Sequence, residues 1–164
     1  MKAIVVVDNN WGIGANNNLL FHLPKDMQFF RKTTTGKVVV MGANTFRSLP
    51  SGALPKRVNV VLDDSGCKHP NTISVATFAE LHQTLKQFHA DDIYVVGGAT
   101  FYKLMLPFCT TALVTKVNAN GNAQVFFPNL DELSNWQLVG SVADVDQGHD
   151  IAFCTYVNND VQTF

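Results

Sequence analysis

LLFHLPKDMQFFRKTTT, residues Leu19 to Thr35, is the stretch from which the rest of the chain is read. A helix is predicted from Pro24, because the N–H that proline lacks is one the first helical turn leaves unpaired anyway. Asp26, Phe30 and Thr33 recur at i, i+4 and i+7 and so share one helical face. Met27 and Phe29 flank that face, and Arg31-Lys32 close the last turn. Asp26 is the anomaly. A carboxylate among aromatics is costly to bury unless a ligand or hydrogen-bond donors meet it, and such positions are candidates for a perturbed pKa. An acid in a first turn also suits the helix dipole, so spacing alone leaves both readings open.

Upstream of this helix, Ala3 to Val7 is a short apolar run closed by Asp8-Asn9-Asn10 and reads as a buried strand. Trp11 to Asn18 (WGIGANNN) has the composition of a mobile surface loop. Downstream, four further runs have strand length and β-branched content: Lys37–Gly42, Val58–Leu62, Ile93–Gly98 and Ala112–Thr115. Phe78 to His89 reads as a helix with Phe78, Leu81, Leu85 and Phe88 on one face, opened by a Thr77/Glu80 capping box. Thr100 to Phe108 is apolar nearly all round, a buried helix that Pro107 is expected to end. Trp136 to Val157 alternates polar and apolar about Asp146-Gln147-Gly148, a hairpin at the sheet edge. The alternation of strand and helix predicts one α/β domain with a mostly parallel sheet.

The bulk numbers narrow the function. The chain has 164 residues, 46% hydrophobic and 15% charged, which is material for one real core. Net charge is −1 and no basic run exceeds two residues, so no nucleic-acid footprint is visible. Cys67, Cys109 and Cys154 are widely spaced, without a CxxC pair, and fit a reduced cytosolic protein. The apolar run after Lys2 is too short for a secretory signal, and nothing approaches a membrane span. Small-molecule chemistry in the cytoplasm is the leading class.

Several constellations carry chemistry. Val95-Val96-Gly97-Gly98-Ala99-Thr100-Phe101-Tyr102 runs a buried strand into paired glycines and a helix, which lets backbone N–H groups approach an anion. Gly42-Ala43-Asn44-Thr45 repeats the arrangement after another strand. Two such turns on neighbouring strands suit a pyrophosphate gripped from both sides. Arg57, fixed by Leu54-Pro55-Lys56 at a strand start, has the geometry to fork onto a carboxylate. Thr115 ends its strand with a hydroxyl able to hold a buried acid. The five histidines show no metal-ligand spacing, His82 and His89 are expected on a solvated helix face, and no metal is inferred.

In their order and spacing these pieces resemble the dihydrofolate reductase family. They are Ile13-Gly14, Leu23-Pro24-x-Asp26-x-x-x-Phe30, Gly42-x-x-Thr45, Leu54-Pro55-x-Arg57, Val96-Gly97-Gly98, the Thr115 strand and Phe127-Pro128. The resemblance implies an α/β fold over residues 1–164, with a mixed, mostly parallel eight-stranded sheet, an antiparallel C-terminal hairpin and helices on both faces. It implies hydride transfer from NADPH to C6 of 7,8-dihydrofolate with a proton added at N5, giving tetrahydrofolate. Asp26 is then the one ionisable group in the pterin pocket, held from behind by Thr115. The backbone of Val5 and Val6 lines the pterin, with Tyr102 nearby. Phe30 stacks on the aminobenzoyl ring, Arg57 clamps the glutamate α-carboxylate, and Leu49 and Leu54 flank that tail. Val6, Ile13, Gly14, Leu19, Ala43, Asn44, Thr45, Leu62, Asp63, Val96, Gly97, Gly98, Ala99, Thr100, Phe101 and Tyr102 meet the cofactor, with Ile13 to Leu19 as the lid. Antifolates are the implied inhibitors, and the protein is expected to be a monomer with no nucleic-acid or membrane partner.

The chain departs from the family pattern at positions that matter. Phe21 stands where the family usually has Trp. Ala43 replaces an Arg and Asp63-Asp64 replace Ser, Thr, His or Arg at positions that recognise the 2′-phosphate. Losing the cation removes a contact of about 1.5–3 kcal/mol, and nearby carboxylates add repulsion of order 1–4 kcal/mol. An acid at a strand end is also how some dinucleotide sites take a free ribose 2′-OH, so use of NADH is expected alongside NADPH, with Lys68, Lys56 or Arg47 as the cations that could fold back and compensate. Asn122-Ala123-Gln124-Val125 replaces Glu-Gly-Asp-Thr, with Gln124 left to steady the lid. A pterin- or dinucleotide-binding paralogue with weak or different reductase activity is the alternative.

Overall fold

β-Branched runs favour a pleated, buried surface, and in a computed structural model describing all of residues 1–164 they pair into one eight-stranded sheet. The chain order is β1 (Lys2–Val7), β2 (Gly12–Gly14), α1 (Pro24–Thr34), β3 (Val38–Gly42), α2 (Ala43–Ser48), β4 (Val58–Leu62), β5 (Ile73–Val75) and α3 (Phe78–Leu85), followed by β6 (Ile93–Gly97), α4 (Ala99–Met105), β7 (Thr111–Val117), β8 (Val125–Phe126), β9 (Trp136–Asp146) and β10 (His149–Asn158). The sheet order is β5-β4-β3-β6-β1-β7-β10-β9. Strands β5 to β7 in that order pair in parallel, and the β9–β10 hairpin adds an antiparallel edge. Gln147 and Gly148 both take positive φ in its two-residue turn, the conformation such hairpins demand. β2 and β8 form a separate small ribbon.

Period-2 alternation divides the apolar residues between two faces. Val38, Val40, Val60, Ile93, Val95, Ala112 and Val114 look into one continuous core with Leu81 and Leu85 of α3 and Phe101, Tyr102 and Met105 of α4. The opposite face carries two separate clusters. Val39, Met41 and Val61 pack with Phe46 of α2, while Val117 and Ile151 pack with Leu23 at the start of α1, joined by Val6, Phe21 and Phe153. The face is therefore cleft between α1 and α2.

The cleft lies where β1 parts from β6. The two strands pair only at Lys2/Tyr94 and Ala3/Val95, whereas β1 stays with β7 along its whole length. Beyond that point the Ile4 carbonyl accepts the Tyr102 hydroxyl at 2.7 Å in place of a strand neighbour. A crevice outside the C-terminal ends of parallel strands is where open α/β sheets take ligands.

Four sequence expectations are corrected. Trp11–Asn18 is not a free loop: Trp11 is a core residue, Gly12–Gly14 forms β2, and only Asn16 and Asn17 make a tight left-handed turn. α3 stops at Leu85 rather than His89, and His89 caps the following 3₁₀ turn by accepting from Asp91 N–H. His82 is half-buried against Phe164, with ring centroids 4.8 Å apart. α4 begins at Ala99 and gives way at Leu106 to a 3₁₀ turn containing Pro107. No helix is long and apolar enough to cross a membrane.

Candidate active site

Asp26 sits in the first turn of α1, and that turn is capped from a distance. Leu23, at the N-cap position, offers no side-chain acceptor. Asp146, at the end of β9, supplies it: its carboxylate accepts Lys25 N–H at 2.8 Å and Asp26 N–H at 3.4 Å. Lys25 Nζ bonds Asp144 at 2.8 Å, and Phe29 packs on Phe153 of β10, so the helix is bound to the hairpin along its length. Burial pushes the Asp26 carboxyl above the ordinary range, the Thr115 hydroxyl beside it partly offsets this, and the Asp146 charge adds to the rise. No cation pairs with Asp26. Tyr102 lies near enough for the Asp26 charge to help raise its phenol, whose shift is driven mainly by burial.

At the other end of α1, Phe30 lies 6.0 Å from the Arg57 guanidinium. Arg57 donates to the Pro55 carbonyl at 2.9 Å and to the Thr34 hydroxyl at 3.1 Å, which fixes the head group without neutralising it. Burial and the neighbouring Arg31 both lower its pKa, and it has no carboxylate partner. Asn59 holds the strap before it, accepting Leu54 N–H and donating to the Leu54 and Arg57 carbonyls. Leu49 and Leu54 pack on the α2 wall.

The predicted glycine turns meet as expected. β3 and β6 are neighbours, and a Cβ on Gly97 or Gly98 would lie 3.2 or 3.1 Å from the Thr45 hydroxyl. Gly97 also takes φ +136, a region that favours glycine. Gly42 and Gly98 precede α2 and α4 without a side-chain cap, leaving first-turn N–H groups of both helices without side-chain partners. Val96 and Ala43 border this corner from the second cluster; Ala99 and Asn44 flank it, and Thr100 is exposed. Phe101 and Val5 point into the opposite core, and Leu62 packs against that core too. The Tyr102 hydroxyl is spent on Ile4 and its ring packs on Phe127, 4.8 Å between centroids.

Asp63 is the main correction among the predicted cofactor residues. It is buried, 4% exposed, rather than a bare acid on the cleft rim. One carboxylate oxygen takes the Ser65 N–H and hydroxyl at 3.1 and 2.7 Å. The other takes Arg47 at 3.1 Å and His69 at 2.8 Å. The Ser65 and His69 hydrogen bonds hold its pKa down at about 2. The repulsion expected from Asp63 is met by Arg47, which also reaches the Asn44 side chain at 3.2 Å. Asp64 is exposed.

Ile13 to Leu19 is tied to the stretch before β8. Gln124 accepts Asn16 N–H through Oε1 at 2.8 Å and donates its own N–H to the Gly14 carbonyl at 2.8 Å. Asp8, read from the sequence only as a turn residue, is buried and accepts from Asn10, Gly12 and Gly121 N–H at 2.8–2.9 Å. Ile13 packs on the core, while Leu19 stands 69% exposed. Asp8, Asp146 and His69 are the residues missed. Asp8 had a signal, an acid closing a buried strand; the other two find partners only through the fold.

An open parallel sheet whose crevice has an unpaired acid at the start of α1, an unpaired arginine at its far end and facing glycine turns defines an α/β domain built around one crevice at the ends of its parallel strands. The profile of the family described as dihydrofolate reductase matches residues 1–158. The dihydrofolate reductase of Haemophilus influenzae is 35% identical over 134 residues, covering 82% of this chain and 79% of that protein. The Bacillus subtilis dihydrofolate reductase is 32% identical over 157 residues, covering 93% and 91%. The solved structure of dihydrofolate reductase from Enterococcus faecalis complexed with NADP(H) and RAB-propyl superposes with a TM-score of 0.87 at 26% identity, covering 97% of this chain and 96% of that one. The chain belongs to the dihydrofolate reductase family.

Proposed function

We propose that this protein, a dihydrofolate reductase, works through Asp26 and takes its hydride from either reduced nicotinamide dinucleotide, as a cytoplasmic monomer. The observation that carries the reading is Asp26: a raised, half-buried carboxyl without a cation, with the Thr115 hydroxyl beside it, in a crevice. An acid left without a partner inside a pocket calls for a ligand that donates to it. The 2-amino group and N3 of a dihydropterin do so side by side. Asp26 orients the ring by accepting both, and its raised pKa keeps more proton available near neutrality for delivery toward N5 through water. The backbone of Val5 and Val6 forms the floor. Phe30 offers an aromatic surface to the aminobenzoyl ring, with Leu49 and Leu54 along the tail. Arg57, desolvated, fixed and unpaired, takes the α-carboxylate of the glutamate.

The facing turns Gly42–Thr45 and Gly97–Thr100 suit the dinucleotide, because the glycines leave room beside Thr45 and the helix starts offer free N–H groups. The cofactor supplies the hydride. With Ala43 in place of a cation, selectivity for a 2′-phosphate rests on Arg47, which is shared with Asp63. A lost contact of about 1.5–3 kcal/mol corresponds to roughly 10- to 150-fold in selectivity. The test follows nicotinamide absorbance with dihydrofolate and either cofactor. Oxidation of both is expected, with NADPH favoured in kcat/KM by less than about 100-fold. A larger ratio overturns the dual use, and no turnover with either overturns the enzymatic reading in favour of a binding paralogue.

A further inference from the structure

The loop after β4 carries a group of donors of which the reductase reading uses only Asp63, as the partner of Arg47. We infer that Asp63, Cys67 and His69 form a binding site for a zinc-class transition metal ion. One donor atom from each, a carboxylate oxygen, a thiol sulfur and an imidazole nitrogen, lie within 4.8 Å of one another. Two of the three already meet through a hydrogen bond, His69 Nε2 to Asp63 Oδ2 at 2.8 Å, with both side chains at most 8% exposed. Linear spacing did not reveal the set, because the Asp63 carboxylate meets Cys67 and His69 only through the turn at Gly66, which takes φ +79.

The surroundings hold these donors in place. Asp63 is oriented by Ser65, which bonds the oxygen that does not face His69. The His69 backbone is fixed on both sides, its N–H donating to the Ser74 hydroxyl at 2.9 Å and its carbonyl accepting from Thr72 at 2.9 Å. Its ring packs on Phe46, 4.9 Å between centroids. Supporting hydrogen bonds of this kind orient metal ligands and sustain affinity. Cys67 is exposed and has no disulfide partner, so its sulfur is free to turn inward.

Mixed sulfur, nitrogen and oxygen donors select zinc and its close analogue cobalt over magnesium or calcium, which want oxygen alone. A thiolate and a carboxylate cancel the double charge of the ion. Binding releases the thiol proton, and the Nε2 proton that His69 now donates to Asp63 must give way, leaving the neutral tautomer protonated at Nδ1 with its Nε2 lone pair on the ion. Arg47 is the one cation against the group; it is half-exposed and swings to solvent when the ion takes Asp63 Oδ2. Three protein ligands leave the fourth tetrahedral position to water.

The inference stands apart from the catalytic reading and is tested without turnover. Tag-free, reduced, chelator-stripped protein is dialysed against Zn²⁺ for elemental analysis and titrated with Co²⁺. One equivalent of either ion is expected, with a thiolate-to-cobalt charge-transfer band. Cys109 and Cys154 are buried, so in the folded protein that band reports Cys67. Cys67→Ser is expected to abolish it, and His69→Gln to weaken Zn²⁺ binding by at least about tenfold, both with an unchanged circular dichroism spectrum. Absence of bound metal, binding without the charge-transfer band, or variants that bind as well as the wild type would each overturn the site.

Discussion

Asp26 sets function against stability. Its carboxyl is raised chiefly by burial, so the folded protein binds that proton more tightly than the unfolded chain does. Folding stability linked to Asp26 is therefore complete below the ordinary carboxylate pKa and is lost as pH rises through the raised value. Asp26→Asn keeps the shape and removes the charge. Its expected melting temperature is above the wild type at neutral pH, with the difference closing in acid as the wild-type carboxyl protonates. Dihydrofolate reduction should move the other way, falling about 10²-fold or more at neutral pH and recovering in part in acid, where protonated substrate takes over. Thermal melts and kcat/KM across pH check both halves, and full neutral activity would remove Asp26 from the reaction. Asp26 stood out because an acid is odd on an apolar helix face; Thr115, read as ending its strand, lies inside β7 with Lys116 and Val117 still paired to β10 after it. The state of Asp63 was legible only in part: Arg47 was one of three cations open to compensate it, but the donors from Ser65 and His69 depend on a turn that composition does not specify.

Helix α1 is an element that the sequence names but does not explain. Pro24 starts it, yet the acceptor for its first N–H groups is Asp146, about 120 residues on. Local reading assigns Asp146 to the hairpin turn, which is correct and incomplete. Asp146→Ala is expected to cost about 1 kcal/mol of stability, the usual size of a lost N-cap, measured by urea unfolding. Asp146→Asn retains an acceptor and should cost less, while lowering the pH at which kcat/KM breaks, because the Asp146 charge contributes to the raised Asp26 pKa. An unchanged break would make Asp146 a cap alone. Elements with strong periodicity were legible: five of the sheet's strands and the Asp146-Gln147-Gly148 hairpin, which supplies two more, follow from β-branched runs and turn residues. β5 escaped because three residues, one of them Ser74, carry no period. β2 escaped because two of its three residues are glycine and its partner β8 lies more than a hundred residues away.

Across the molecule, one continuous core supports the sheet from the α3–α4 side while the opposite face is cleft between the α1 and α2 walls. The β2–β8 ribbon belongs to neither wall. It is anchored through Trp11 and Phe127, whose rings stack 6.2 Å apart, and through Asp8 to the Gly121 backbone. From that anchor, and beyond the β2–β8 pairing itself, Ile13 to Leu19 is held by Gln124, its side chain to Asn16 and its backbone to Gly14. The side-chain bond is exposed and neutral, so its net worth is about 0.5–1.5 kcal/mol. Gln124→Ala should leave the fold and the Asp26 environment intact while shifting the loop's equilibrium by roughly 2- to 13-fold toward release. If the loop acts as a lid, the change appears in steps gated by loop motion rather than in the chemistry. Single-turnover hydride transfer with saturating ligands should then stay within about twofold of the wild type, while cofactor dissociation, read by stopped-flow fluorescence, speeds up by a factor in that range. Equal dissociation rates in the two proteins would mean that Gln124 holds nothing that moves, and that β2 and β8 alone fix the position of the loop.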